Sequence, residues 1–161
     1  MKNAIVTGAS NGIGLEISKK LSENNYYVGM IDIDKENLLK ESENISNSVA
    51  IEGDVTNEDS IKNALDTFSK TPDLIVNNAG IVIFGGLEEQ SIEDFKKSVD
   101  VSLIGSYLVS RLAIDSMIKK GSGCIINMSS INGVHPGPGT GGYPPAKAGI
   151  VSLTQQMSIE W

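Results

Sequence analysis

The chain has 161 residues, 40% hydrophobic and 20% charged, a balance that builds a packed core and excludes a disordered segment. A formal net charge of −7 argues against nucleic acid or an anionic membrane as partner, although a helix end and a few amides can still hold an anion locally. The single cysteine, Cys124, excludes an internal disulfide, and no stretch approaches the ~20 apolar residues of a membrane span.

The first strand is expected at residues 3–7, around the apolar run Ala4-Ile5-Val6, and the first helix at 12–24. Between them runs Thr7-Gly8-Ala9-Ser10-Asn11-Gly12-Ile13-Gly14. Ile13, Ile17 and Leu21 recur four apart, as on one helix face. A glycine-rich turn between a first strand and a first helix is how α/β proteins bind a dinucleotide. Glycines let the backbone turn tightly and let a diphosphate come close, and the positive end of the helix then faces the phosphate oxygens. The alternative is an ordinary glycine-containing turn.

Further strands are expected at 27–31, 48–52, 74–77 and 123–128, and helices at 35–43, 58–69, across 91–119, and from Tyr143 to the chain end. This alternation predicts an α/β fold, a doubly wound parallel sheet of Rossmann type with helices on both faces. Leu74-Ile75-Val76 and Cys124-Ile125-Ile126 read as strands covered on both faces, with Cys124 a buried structural thiol. The whole chain, 1–161, reads as a single nucleotide-binding domain. The loop 132–142, rich in glycine and proline, follows a parallel strand at the end where ligands bind.

Five groups carry a resemblance: the Thr7–Gly14 turn, Asp54-Val55, Asn77-Asn78-Ala79-Gly80, Ser130, and Tyr143-x-x-x-Lys147. Their order and spacing resemble the short-chain dehydrogenase/reductase family along the whole chain. The resemblance implies a nicotinamide cofactor and hydride transfer between a secondary alcohol and a ketone. Tyr143 and Lys147, four apart, share one helix face if both are helical. A lysine ammonium beside a phenol favours the phenolate, so Tyr143 can act as general acid/base. Ser130, thirteen positions before Tyr143, is placed to orient the substrate oxygen, with Ser129 as the competing serine. The resemblance also assigns Lys147 to the nicotinamide ribose.

The cofactor residues expected are Gly8, Ser10, Asn11, Gly12, Ile13 and Gly14 in the turn, Asp32 at the ribose, and Asp54 and Val55 beside the adenine. Asn78, Ala79 and Gly80 are expected to pass beneath the cofactor, with Tyr143 and Lys147 at its other end. Asp32 follows strand two, where a carboxylate accepts from ribose hydroxyls and repels a 2′-phosphate. Asn11 and Ile33 are not basic, so NAD is expected over NADP; Asp34 is a rival for the role of Asp32.

Three departures from the family pattern bear on catalysis. Ser102 stands where the family usually has an asparagine of a proton relay, which predicts slower turnover with cofactor binding kept. Pro144-Pro145 interrupt the Tyr-x-x-x-Lys motif and are expected to put Tyr143 at or before the helix start. Family members commonly continue with two more strands and a segment covering the substrate, so the sheet is expected to lack its last two strands and to expose strand five as an edge.

The absence of an apolar leader points to the cytosol. A metal site is not expected from one histidine and one cysteine. The helices near 106–119 and after Tyr143 would, by resemblance, form the interface of a homodimer or homotetramer. The leading reading is an NAD-dependent alcohol/ketone oxidoreductase. Its rivals are a dinucleotide-binding protein with little or no catalysis and an interaction module built on the open sheet edge.

Overall fold

The structure is a computed structural model describing residues 1–161. Strand and helix alternate as β1 (Lys2–Thr7), α1 (Gly12–Glu23), β2 (Tyr26–Asp32), α2 (Lys35–Ser42), β3 (Ser48–Glu52), α3 (Glu58–Phe68), β4 (Leu74–Asn77), α4 (Ile92–Val99), α5 (Gly105–Lys120), β5 (Cys124–Asn127) and α6 (Tyr143–Glu160). The sheet has the order β3-β2-β1-β4-β5, and every pair is parallel. The chain winds outward from β1 to β3 and then crosses back to β4, so the winding reverses between β1 and β4. In such sheets the crevice beyond the carboxyl ends at that reversal is where ligands bind.

Side-chain alternation along the strands builds two cores, one on each face. Ile5, Ile31, Ile51 and Ile75 meet Ile61, Ala64 and Phe68 of α3 and Val109, Ala113, Ile114 and Met117 of α5. Ala4, Val6, Val28, Met30, Leu74 and Val76 face the other way, toward Leu38 of α2 and Leu15, Ile17 and Leu21 of α1. Ile13 leaves the helix face it was expected to share with Ile17 and Leu21 and is exposed. Gly29 makes room for Phe68, since a Cβ there would lie 2.7 Å from its ring.

Strand five departs from expectation. Ile125 packs on the α3–α5 face, so its neighbours Cys124 and Ile126 point to the opposite face. There α1 and α2 cover β1 to β3 but leave the edge strand open, and Cys124 is exposed rather than buried.

The expected helical region 91–119 is continuous from Ile92 to Lys120 but contains a π-helical segment, Asp100–Ile104, between α4 and α5. By length and composition this run could cross a membrane. Val109, Ala113 and Met117 instead face the sheet, in the core. A single-turn π segment shifts the phase of a helix, and such segments recur at functional sites. Here it turns Ser102 inward, fully buried.

Candidate active site

At the carboxyl ends of β1 and β4 opens a cleft of about 700 Å³, within the roughly 300–1,000 Å³ of small-molecule sites. Its floor is the glycine turn. Gly8 has φ +65°, and a Cβ on it would lie 2.9 Å from the Ala79 Cα. A Cβ on Gly14 would lie 2.1 Å from the Gly8 carbonyl oxygen, so the turn closes only around glycine. The loop after β4 is strapped to it. Asn78 Nδ2 donates to the carbonyls of Thr7 (3.0 Å) and Gly8 (3.1 Å), and Thr7 Oγ1 accepts from the amides of Asn78 and Ala79.

The start of α1 is chemically open. Asp34, Asn57 and Ser91 cap α2, α3 and α4 with their side chains, but Asn11 makes no such bond at α1. The first N–H groups of α1 therefore lack a side-chain acceptor and point where an anion would sit. Gly8, Asn11 and Ile13 line the cleft; Ser10, Gly12 and Gly14 shape the turn behind them. The residues present thus fit a dinucleotide diphosphate.

Asp32 lines the cleft with its carboxylate fixed by two amides, Ser10 N at 2.9 Å and Asp34 N at 3.0 Å. Asn37, which sequence reading missed, donates to the Ser10 carbonyl at 2.6 Å and ties α2 to the turn. Asp34, the rival carboxylate, is engaged as the α2 cap through the Asn37 amide. Asp54 and Val55 form the far wall, with Asp54 Oδ1 holding the Thr56 amide and hydroxyl. Lys97 and Val101, one helical turn apart on α4 and the π segment, also line the cleft. Their four-residue spacing was a signal in the sequence, hidden by the length of the helical run.

At the opposite end lie Tyr143 and Lys147. Tyr143 opens α6, and Pro144 and Pro145 occupy its first turn, where a missing N–H costs little. The ring is not pulled away from its partner: Lys147 Nζ is 5.6 Å from the ring centroid. Lys147 is only 3% exposed, donates to the Met128 carbonyl at 2.6 Å, and has no carboxylate partner. Burial pushes the pKa of its ammonium below the ordinary value.

The two serines differ in what their hydroxyls do. Ser129 lines the cleft, but its proton is committed to the Lys147 carbonyl at 2.8 Å. Ser130, the serine preferred from the sequence, is not among the residues that line the cleft; its Oγ accepts from the Asn132 amide at 3.2 Å, which leaves its own proton available to donate. Ser102 Oγ is buried without a hydrogen-bond partner. It lies 3.4 Å from the point a Gly80 Cβ would occupy, and Lys147 Nζ lies 3.2 Å from that same point. Gly80 thus keeps a polar space open between Ser102 and Lys147.

The sequence is similar to known enzymes throughout. The family model for short chain dehydrogenase matches residues 2–161. An uncharacterized oxidoreductase of Thermotoga maritima is 35% identical over 99% of this chain and 66% of its own length. An NAD-dependent glycerol dehydrogenase of Listeria innocua is 33% identical over 99% of this chain and 65% of its own. A 3-oxoacyl-[acyl-carrier-protein] reductase of Rickettsia conorii is 32% identical over 99% and 66%. The chain thus spans about two thirds of the length of these curated relatives.

Proposed function

Since the chain belongs to the short-chain dehydrogenase family of oxidoreductases, we propose that it interconverts a small secondary alcohol and its ketone with NAD, using Tyr143 as general acid/base. The observation that carries this reading is the approach of Lys147 Nζ to within 5.6 Å of the Tyr143 ring centroid, in the same cleft as the glycine turn. When bound, a nicotinamide ring supplies or accepts the hydride.

The chain's own residues do the rest. The amides at the start of α1 hold the diphosphate, and the Asp32 carboxylate takes the ribose hydroxyls. That carboxylate would repel a 2′-phosphate, which favours NAD over NADP. Asp54 and Val55 flank the adenine, while Asn78, Ala79 and Gly80 pass beneath the cofactor. The Ser130 hydroxyl donates to the substrate oxygen and orients it. The Tyr143 phenol gives that oxygen a proton in reduction and takes one in oxidation. Lys147, held by the Met128 carbonyl, sets a positive charge beside the phenol and reaches the ribose. Copies of the chain pair through α5 and α6.

Titration with NADH, followed by its fluorescence, is expected to saturate, and NADPH to bind more weakly. Incubation with NAD and a panel of secondary alcohols is expected to produce NADH. Tyr143→Phe should cut kcat by roughly 10²–10⁴-fold while leaving NADH affinity in place. Failure of NADH to bind sinks the proposal. Saturable binding with no alcohol oxidised leaves a dinucleotide-binding protein.

A further inference from the structure

We propose that Gln90 is a positioning residue for the catalytic tyrosine: its side-chain amide staples the cleft wall to the N-terminus of α6, an inference that rests on Tyr143 acting as acid/base. Gln90 Oε1 accepts from the Gly142 amide at 2.9 Å, and Gln90 Nε2 donates to the Ile83 carbonyl at 2.7 Å. Gly142 directly precedes Tyr143, and Ile83 lines the cleft. One planar side chain therefore fixes the spacing between the segment that faces the substrate and the residue that carries the phenol.

Its surroundings are built for this. Gln90 springs from a turn in which Gly86 O accepts its amide at 2.9 Å and Glu89 Oε2 holds the Gly86 amide, so its base is rigid. The two glycines before Tyr143 make room. A Cβ on Gly141, at φ +44°, would fall 2.0 Å from Gln90 Oε1. A Cβ on Gly142 would fall 2.9 Å from the Phe95 carbonyl oxygen. The segments are joined again where Gly85 N donates to the Gly139 carbonyl at 3.0 Å. Pro144 and Pro145 follow Tyr143 in the first turn of the helix, and the Tyr143 amide donates to the Thr140 carbonyl at 3.0 Å. The staple supplies a constraint from outside, and a displacement of the order of an ångström at a proton donor is costly in rate.

The test uses the full chain, 15N-labelled, with Gln90→Met and Gln90→Glu. Methionine keeps the length and removes both bonds; glutamate keeps an acceptor for the Gly142 amide. Amide exchange at Gly142 is expected to rise about tenfold in Gln90→Met. On the alcohol oxidised fastest in the panel, kcat is expected to fall roughly tenfold to a hundredfold, with KM and NADH affinity little changed. Gln90→Glu keeps the acceptor for Gly142 but sets a carboxylate oxygen against the Ile83 carbonyl, so it is expected to restore the protection of Gly142 and only part of kcat. Unaltered Gly142 exchange in Gln90→Met, or equal loss of kcat in both variants, overturns the proposal. If the wild-type chain oxidises no alcohol, the acid/base reading fails by itself, and Gly142 exchange still decides whether Gln90 holds the start of α6.

Discussion

Lys147 carries a burial cost that no carboxylate offsets. It is buried, bonded to a carbonyl, and unpaired with any carboxylate, and burial holds its pKa down. At neutral pH the native state must therefore shelter an ammonium that water would solvate better. As pH rises, the native lysine loses its proton before the unfolded one does. The unfolded chain then binds more protons, and stability contributed at this position rises with pH, fully so only above the ordinary lysine pKa. Lys147→Met removes the term. In urea titrations between pH 7 and 10, the wild-type chain should gain stability relative to Lys147→Met as pH increases. A difference that stays flat across that range would refute the assignment. The sequence made Tyr143 and Lys147 readable as a pair, because their four-residue spacing is a local property. It hid the buried ammonium, because burial of a charge depends on Met128 and Gly80, which fold in from distant positions.

The π segment Asp100–Ile104 is the element that most changes the site. It carries Ser102 into the core, opposite the bare Cα of Gly80, with a hydroxyl that finds no partner. An asparagine there would reach farther into the space beside Lys147 and offer both a donor and an acceptor. Ser102→Asn is therefore expected to raise kcat roughly tenfold, about 1.4 kcal/mol of barrier, with NADH affinity unchanged. Stopped-flow or steady-state turnover on the same alcohol checks it, and no change in kcat would remove Ser102 from the proton path. The alternation of strands and helices was legible, since apolar runs such as Leu74-Ile75-Val76 are local signals. The π segment was not, because one extra residue per turn leaves no mark in a run of mixed apolar residues. Strand five misled for a related reason: Cys124-Ile125-Ile126 is apolar, but whether both faces are covered depends on where the helices lie.

For the molecule as a whole, the exposed apolar surface bears on association. Ile104 at the end of the π segment and Tyr107 and Ile118 on α5 are exposed along one stripe, and Val151 is exposed on α6. Such a stripe can pair with its own copy about a twofold axis. A chain of 17.1 kDa is thus expected to run as a dimer in native mass spectrometry, and Tyr107→Glu to shift it to the monomer. A monomer at all concentrations would contradict this. The parallel sheet flanked by helices followed from the sequence, because the alternation of apolar strands and helices is repeated along the chain. The joining of the segments around Gln90 and Gly142 did not, since it comes from residues far apart in sequence that only the folded sheet brings together. One feature has practical reach. The chain's only cysteine, exposed at the start of β5, and its only tryptophan, after α6, line the same cleft of about 550 Å³. A thiol-reactive quencher on Cys124 would report, by Trp161 emission and with no substitution needed, whether the far end of the helix that begins at Tyr143 shifts when nucleotide arrives.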